Sequence, residues 1–107
     1  MKIVQGGVYW AYLDPARGSE QRGRRPVIVV SPNEIQDYLK RSIVVPVTTQ
    51  DKGYPTFQPV MIRSKKHYAM LDQLRTLDHT RIKSEIEHLT PQDLKSFLRN
   101  VRELFEQ

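Results

Sequence analysis

The chain has 107 residues, 38% of them apolar and 27% charged, with a formal net charge of +5. That length and balance suit one globular domain over residues 1–107 with a single core, and they exclude a disordered chain. With no cysteine, disulfides and thiolate metal sites are excluded; the excess of basic residues favours a polyanionic partner.

Gly7 to Leu13 is rich in aromatic and β-branched residues and predicts a first strand, which Asp14-Pro15 ends. Ala16 to Arg25 is a polar loop with two glycines and four arginines. Pro26 to Ser31 is a short apolar run, the pattern of a strand covered on both faces. Ser31-Pro32-Asn33 offers capping chemistry for a short helix over Glu34 to Tyr38, with Ile35 and Leu39 expected to face inward.

Ser42 to Thr48 is the next strand, and its internal Pro46 predicts an edge position or a bulge. Asp51 to Pro55 is a turn or loop. Phe57 to Arg63 and His67 to Leu71 are two further strands joined through Ser64-Lys65-Lys66. Leu77 to Leu89 fits both periods: Ile82, Ile86 and Leu89 have helical spacing, whereas Ile82, Ser84 and Ile86 alternate. The last element is a helix. Thr90-Pro91 supplies an N-cap followed by proline at the first helical position, with Asp93 in the first turn. Leu94, Phe97, Leu98, Val101, Leu104 and Phe105 form its apolar stripe. Strands followed by a terminal helix predict an α+β domain on a small antiparallel sheet or barrel.

No apolar run reaches the roughly 18–20 residues a membrane helix needs, and the first residues do not read as a signal peptide. The expectation is a cytoplasmic protein with no membrane partner. His67, His79 and His88 are scattered without metal-ligand spacing, and no phosphate-cradling glycine loop occurs. Neither a resident metal nor a nucleotide cofactor is expected.

Three segments carry chemistry. The loop Arg17-Gly18-Ser19-Glu20-Gln21-Arg22-Gly23-Arg24-Arg25 sets guanidinium forks and one carboxylate beside a buried strand. For any one arginine a solvated basic loop is the blander account. Arg25 differs because it enters the strand, and a fixed donor is what transition-state charge requires. Thr48-Thr49-Gln50 ends a strand with three hydrogen-bonding side chains, an ordinary strand ending on spacing alone. Asp72-Gln73-Leu74-Arg75 allows a bland Asp72–Arg75 surface ion pair.

In this order, Gly7-Val8-Tyr9-Trp10, Leu13-Asp14-Pro15, Gly18-Ser19-Glu20-Gln21, Arg24-Arg25-Pro26-Val27, Val45-Pro46-Val47-Thr48-Thr49-Gln50 and Leu71-Asp72-Gln73-Leu74-Arg75-Thr76 resemble the MazF/PemK family of toxin–antitoxin ribonucleases. Thr48 to Pro55 is especially similar to its MazF branch. The resemblance implies a compact SH3-like barrel with a C-terminal helix, assembled as a homodimer. It implies metal-independent, sequence-specific cutting of single-stranded RNA, chiefly mRNA, by 2′-hydroxyl attack, which arrests translation and growth. It also implies an acidic antitoxin partner, with operator DNA bound only through that complex.

Residue by residue, Arg25 resembles the family's catalytic arginine and Thr48 the threonine that holds the scissile phosphate. Glu20 matches a loop carboxylate that acts as base or orients Arg25. Asp72 and Gln73 match substrate contacts; Ser19, Gln21, Arg24, Thr49, Gln50, Lys52 and Arg75 are the further substrate-binding expectations. Ser19 stands where the PemK branch has histidine and Met70 where it has arginine, so that branch's His–Arg–Asp scheme does not transfer and the general base stays open. Two alternatives remain: a gyrase-poisoning toxin of the same fold, and a non-catalytic nucleic-acid-binding barrel. The gyrase type depends on a tryptophan near the C-terminus, whereas the one tryptophan here is Trp10.

Overall fold

The computed structural model describes residues 1–106. Its strands are β1 (Gly7–Tyr12), β2 (Arg24–Val29), β3 (Arg41–Thr48), β4 (Phe57–Ile62), β5 (Lys65–Met70), β6 (Arg75–Asp78) and β7 (Ile82–His88). Helix α1 (Asn33–Leu39) precedes β3, and α2 (Pro91–Leu104) ends the fold. All pairings are antiparallel, in the order β4-β5-β3-β2-β1-β7, with β6 also on β3. The α+β expectation therefore holds, as a curled half-barrel.

The curl is closed by chemistry at the β4–β5 turn. Ile62 pairs with Lys65, so Arg63 and Ser64 form a two-residue turn with φ of 50° and 61°. Such primed geometry follows the right-handed strand twist, although it places two non-glycine residues in the left-handed region. Lys65 and Lys66 accordingly belong to β5 rather than to the connection. Arg63 then reaches β7: its Nη2 donates to the Ile86 carbonyl at 2.9 Å, and its amide donates to Glu87 Oε2 at 2.5 Å.

Strand alternation divides the interior between two faces. Val8, Ile28, Val45, Val47, Ile62, Ala69, Leu71, Leu89 and Phe97 form one buried cluster. Tyr9, Ala11, Leu13, Val27, Val29, Val44, Leu77 and Ile82 form the other. Both clusters draw on β1, β2 and β3, which explains why β2 reads as continuously apolar. Gly7 is required by packing: a Cβ there would lie 2.4 Å from the Tyr9 hydroxyl oxygen. That hydroxyl accepts from the Val4 amide at 3.0 Å and donates to the Lys2 carbonyl at 3.3 Å.

The final helix forms as expected. Thr90 Oγ1 accepts from the Asp93 amide at 3.1 Å, and Leu94, Leu98, Val101 and Leu104 pack around buried Phe97. Phe105, assigned to the stripe from sequence, caps the helix end and is 70% exposed. Leu77 to Leu89 resolves toward the strand reading, since Ile82–His88 pairs along β1.

Three other expectations are corrected. Pro46 lies in a central strand, opposite Val27 of β2. On its other edge β3 pairs with β6 through Val44 and with β5 from Val47. Pro46 falls in the interval between them, where a residue without N–H interrupts that edge least. The α1 N-cap is Pro32 without a side-chain cap bond; Asn33 Oδ1 accepts from the Gln5 amide at 2.8 Å instead. Helix α1 also buries Gln36, bonded to Ser31, whereas Leu39 is exposed.

Candidate functional site

Three connections converge at one end of the sheet: the loop between β1 and β2, the loop after β3, and the Leu71–Gln73 turn before β6. The first is closed at its base by the Leu13 amide donating to the Gly23 carbonyl at 2.9 Å, with Gly23 at φ +77°. A side chain there would be strained, so glycine lets the chain turn into β2. The loop tip bonds to itself. Glu20 Oε1 accepts from the Arg17 amide at 2.5 Å, and Arg22 Nη2 donates to the Gly18 carbonyl at 2.9 Å.

Arg25 follows as the second residue of β2. Val27 faces Pro46 across the β2–β3 pair. The same register continued by two residues sets Arg25 across from Thr48. Alternation then directs both side chains to the face that buries Val27, Val29 and Val44. Arg25 is half-buried, and among the described residues its guanidinium has no hydrogen-bond or ion-pair partner. Thr48 is buried, and its Oγ1 accepts from the Gln50 amide at 3.2 Å. A guanidinium fork beside a strand-end hydroxyl can hold two non-bridging oxygens of one phosphate.

The loop after β3 carries exposed Thr49, Gln50 and Lys52. Asp51 Oδ1 accepts from the Gly53 amide at 2.8 Å, turning the chain toward Tyr54, whose ring meets Phe57 edge-on at 5.2 Å. The Leu71–Gln73 turn joins both loops. Asp72 Oδ1 accepts from the Thr56 hydroxyl at 2.9 Å, and Gln73 Oε1 accepts from the Gln21 amide at 3.3 Å. Ser19, Gln21, Lys52, Tyr54, Phe57, Met70, Asp72 and Gln73 line the resulting cleft of about 230 Å³.

The structure thus brings Ser19, Gln21, Lys52, Asp72 and Gln73 together, beside strands that begin near Arg25 or end at Thr48. Three sequence-predicted residues are engaged elsewhere. Glu20 makes no hydrogen bond or ion pair with Arg25 among the described residues; the loop's own amide occupies its carboxylate. Arg24 stacks over Trp10, 4.4 Å from the ring centre, on the opposite sheet face from Arg25. Arg75 donates to the Leu13 carbonyl at 3.0 Å, so the Asp72–Arg75 pair does not form. Tyr54 and Phe57 are not among the contributors expected from sequence; the available signal is an aromatic pair just after the Lys52-Gly53 turn.

His67 points back to its own strand, its Nδ1 2.8 Å from the Lys65 carbonyl oxygen. Among the described residues, no three His, Cys, Asp or Glu side chains converge to hold a metal ion. No described helix is long and apolar enough to cross a membrane.

Comparison with known proteins agrees with this architecture. A family model described as PemK-like, MazF-like toxin of type II toxin-antitoxin system matches residues 4–105. Escherichia coli endoribonuclease toxin MazF is 36% identical over 72 residues, or 67% of this chain. That match spans 65% of the relative's length, just under two thirds. MazF from Deinococcus radiodurans superposes with a TM-score of 0.84 at 26% identity, covering 100% of this chain and 99% of the other. A mycobacterial endoribonuclease solved with its cognate antitoxin gives 0.77 at 19% identity, covering 98% and 94%, a likeness of fold alone. From residue 4 to residue 105, and across the whole half-barrel, the chain belongs to the PemK-like, MazF-like toxin family of type II toxin–antitoxin systems.

Proposed function

We propose that the chain is a metal-independent endoribonuclease toxin that cuts single-stranded RNA, chiefly mRNA, at short sequences. The observation that carries this reading is the Arg25 guanidinium, without a hydrogen-bond or ion-pair partner among the described residues, on the sheet face it shares with Thr48. RNA supplies its own nucleophile. The O2′–P bond forms as the P–O5′ bond breaks, leaving a 2′,3′-cyclic phosphate and a 5′-hydroxyl. The proton lost at O2′ is matched by the one gained at O5′. Arg25 stabilises the charge that builds on the phosphorane oxygens, and Thr48 holds the same phosphate by a hydrogen bond. DNA lacks the attacking hydroxyl and is not cut.

Glu20 shapes the loop in this scheme, because its carboxylate is already held by the Arg17 amide. The protein works in the cytoplasm as a homodimer. A net charge of +5 suits an acidic antitoxin segment laid across the site, and operator DNA is contacted only through that complex.

The test is incubation with mixed-sequence single-stranded RNA in excess EDTA, comparing wild type with Arg25→Ala and Thr48→Ala. Discrete cuts with 2′,3′-cyclic phosphate ends, lost in both variants, are expected. Intact RNA with folded, antitoxin-free wild type overturns the reading in favour of a binding toxin. Cutting that requires a divalent ion overturns the metal-independent chemistry.

A further inference from the structure

One bond joins β6 to the end of β1, and its donor is charged while its acceptor is not. Arg75 Nη1 donates to the Leu13 carbonyl at 3.0 Å, and among the described residues no carboxylate pairs with that guanidinium. Arg75 lies opposite Val44 in the β3–β6 pair. Cross-strand partners share a face, so its side chain leaves the sheet on the side that carries Arg25 and Thr48.

Leu13 stands just beyond the row that holds Arg25. β1 and β2 pair Ala11 with Arg25 and Tyr12 with Arg24, and the Leu13 amide extends the ladder by donating to the Gly23 carbonyl at 2.9 Å. A continued antiparallel ladder would have the Leu13 carbonyl accept the Gly23 amide in return. Among the described residues that return bond is absent, and Arg75 takes the acceptor instead. The last row before the arginine-rich loop is thus half backbone ladder and half side-chain clamp. The loop tip does little to hold this row, since Glu20 and Arg22 bond within the tip. Arg25 follows Gly23 by two residues, so the direction of its side chain depends on how this row is held.

We propose that Arg75 is a positioning residue for the cut: by clamping the Leu13 carbonyl it holds the row next to Arg25 and so aims the Arg25 guanidinium at the phosphate. The proposal rests on the ribonuclease reading above. Misplacing a reacting group by about 1 Å costs about 10²-fold in rate, which sets the scale of the effect. Acting through Arg25, Arg75 governs turnover rather than RNA affinity.

The test is a double-mutant cycle with Arg75→Met, Arg25→Ala and the pair, at a temperature where circular dichroism shows every variant folded. The substrate is an RNA oligonucleotide spanning one site that wild type cuts in mixed-sequence single-stranded RNA. Arg75→Met lowers kcat about 10²-fold with KM nearly unchanged. In the Arg25→Ala background the same substitution causes no further loss, because the group it positions is gone. Arg75→Lys, which keeps a cationic donor, recovers part of the rate. In the free protein the Arg25 Nε–H resonance shifts in Arg75→Met and moves back in Arg75→Lys. If Arg75→Met does not fold, Arg75→Lys and Arg75→Gln carry the same cycle. Additive rate losses, with RNA binding weakened equally with and without Arg25, overturn the proposal and make Arg75 a direct phosphate contact. An unchanged kcat with an unmoved Arg25 resonance overturns it while sparing the ribonuclease reading. RNA that wild type leaves uncut overturns the ribonuclease reading first, and the positioning role with it.

Discussion

Arg75 donates from its guanidinium to the Leu13 carbonyl at 3.0 Å, tying the start of β6 to the end of β1 across 62 residues of chain. The bond sits where β1 gives way to the arginine-rich loop, so it fixes the loop's root rather than its tip. Arg75→Met keeps much of the side chain's bulk and removes the charged donor. It should cost roughly 1.5–3 kcal/mol of stability, the usual range for a hydrogen bond to a charged group. Urea unfolding measures that loss, and hydrogen exchange at Leu13 and Gly23 should rise with it. An unchanged urea midpoint would mean the bond contributes nothing net.

Arg25 presents the opposite case, a guanidinium with no internal partner among the described residues. Arg25→Lys retains charge but loses the planar fork that meets two oxygens at once. Cleavage should fall about 10²–10³-fold, as when a preorganised oxyanion donor is removed. Stability should stay within about 0.5 kcal/mol of wild type. A full-activity lysine variant would show that charge alone suffices.

His79 gives the fold a pH dependence. Its Nε2 lies 2.9 Å from buried Ser42 Oγ. Burial pushes the imidazole below its ordinary range; Asp78 opposes that shift and Lys40 adds to it. The unfolded chain therefore takes up this proton first, near pH 6.5. His79 thus contributes stability that is present above that pH and lost as pH falls through the folded value. The Asp78 carboxyl, held low by its bonds from the Thr80 hydroxyl and amide, acts only in a far more acidic window. Urea midpoints at pH 7.5, 6.5 and 5.5 should fall for wild type and fall less for His79→Gln. Parallel curves would remove His79 as the cause.

Thr90 is a local test of the terminal helix. Its hydroxyl accepts from the Asp93 amide, and alanine leaves that amide without its cap. Thr90→Ala should cost about 1 kcal/mol, lowering Tm by about 4–8 °C in a domain near this size. Thermal melts at one protein concentration are the check.

The α2 boundaries and the first strands were readable because the signals are local: a Thr-Pro cap, a 3.6-residue apolar period, a β-branched run ended by Asp-Pro. Pro46 shows where local rules fail. A proline inside a strand predicts an edge, and only the exchange of partners along β3 reveals how a central strand accommodates it. Leu77 to Leu89 fits both periods, and pairing with β1 settled it, because a strand's alternative to helix exists only when a partner edge is present.

The candidate site divides along the same line. Family, overall class and the residue types of the site were legible in the sequence, since motif order and side-chain chemistry do not depend on distance. What each side chain touches was not. By type, Arg24, Arg25 and Arg75 could all contact phosphate, yet one stacks on Trp10, one has no partner among the described residues and one anchors Leu13. Strand alternation sends neighbours to opposite faces, and long-range pairing decides which carbonyl or ring waits there. Tyr54 and Phe57 join Asp72 and Gln73 in one cleft only because the Leu71–Gln73 turn bonds to both loops, a proximity set by tertiary structure alone.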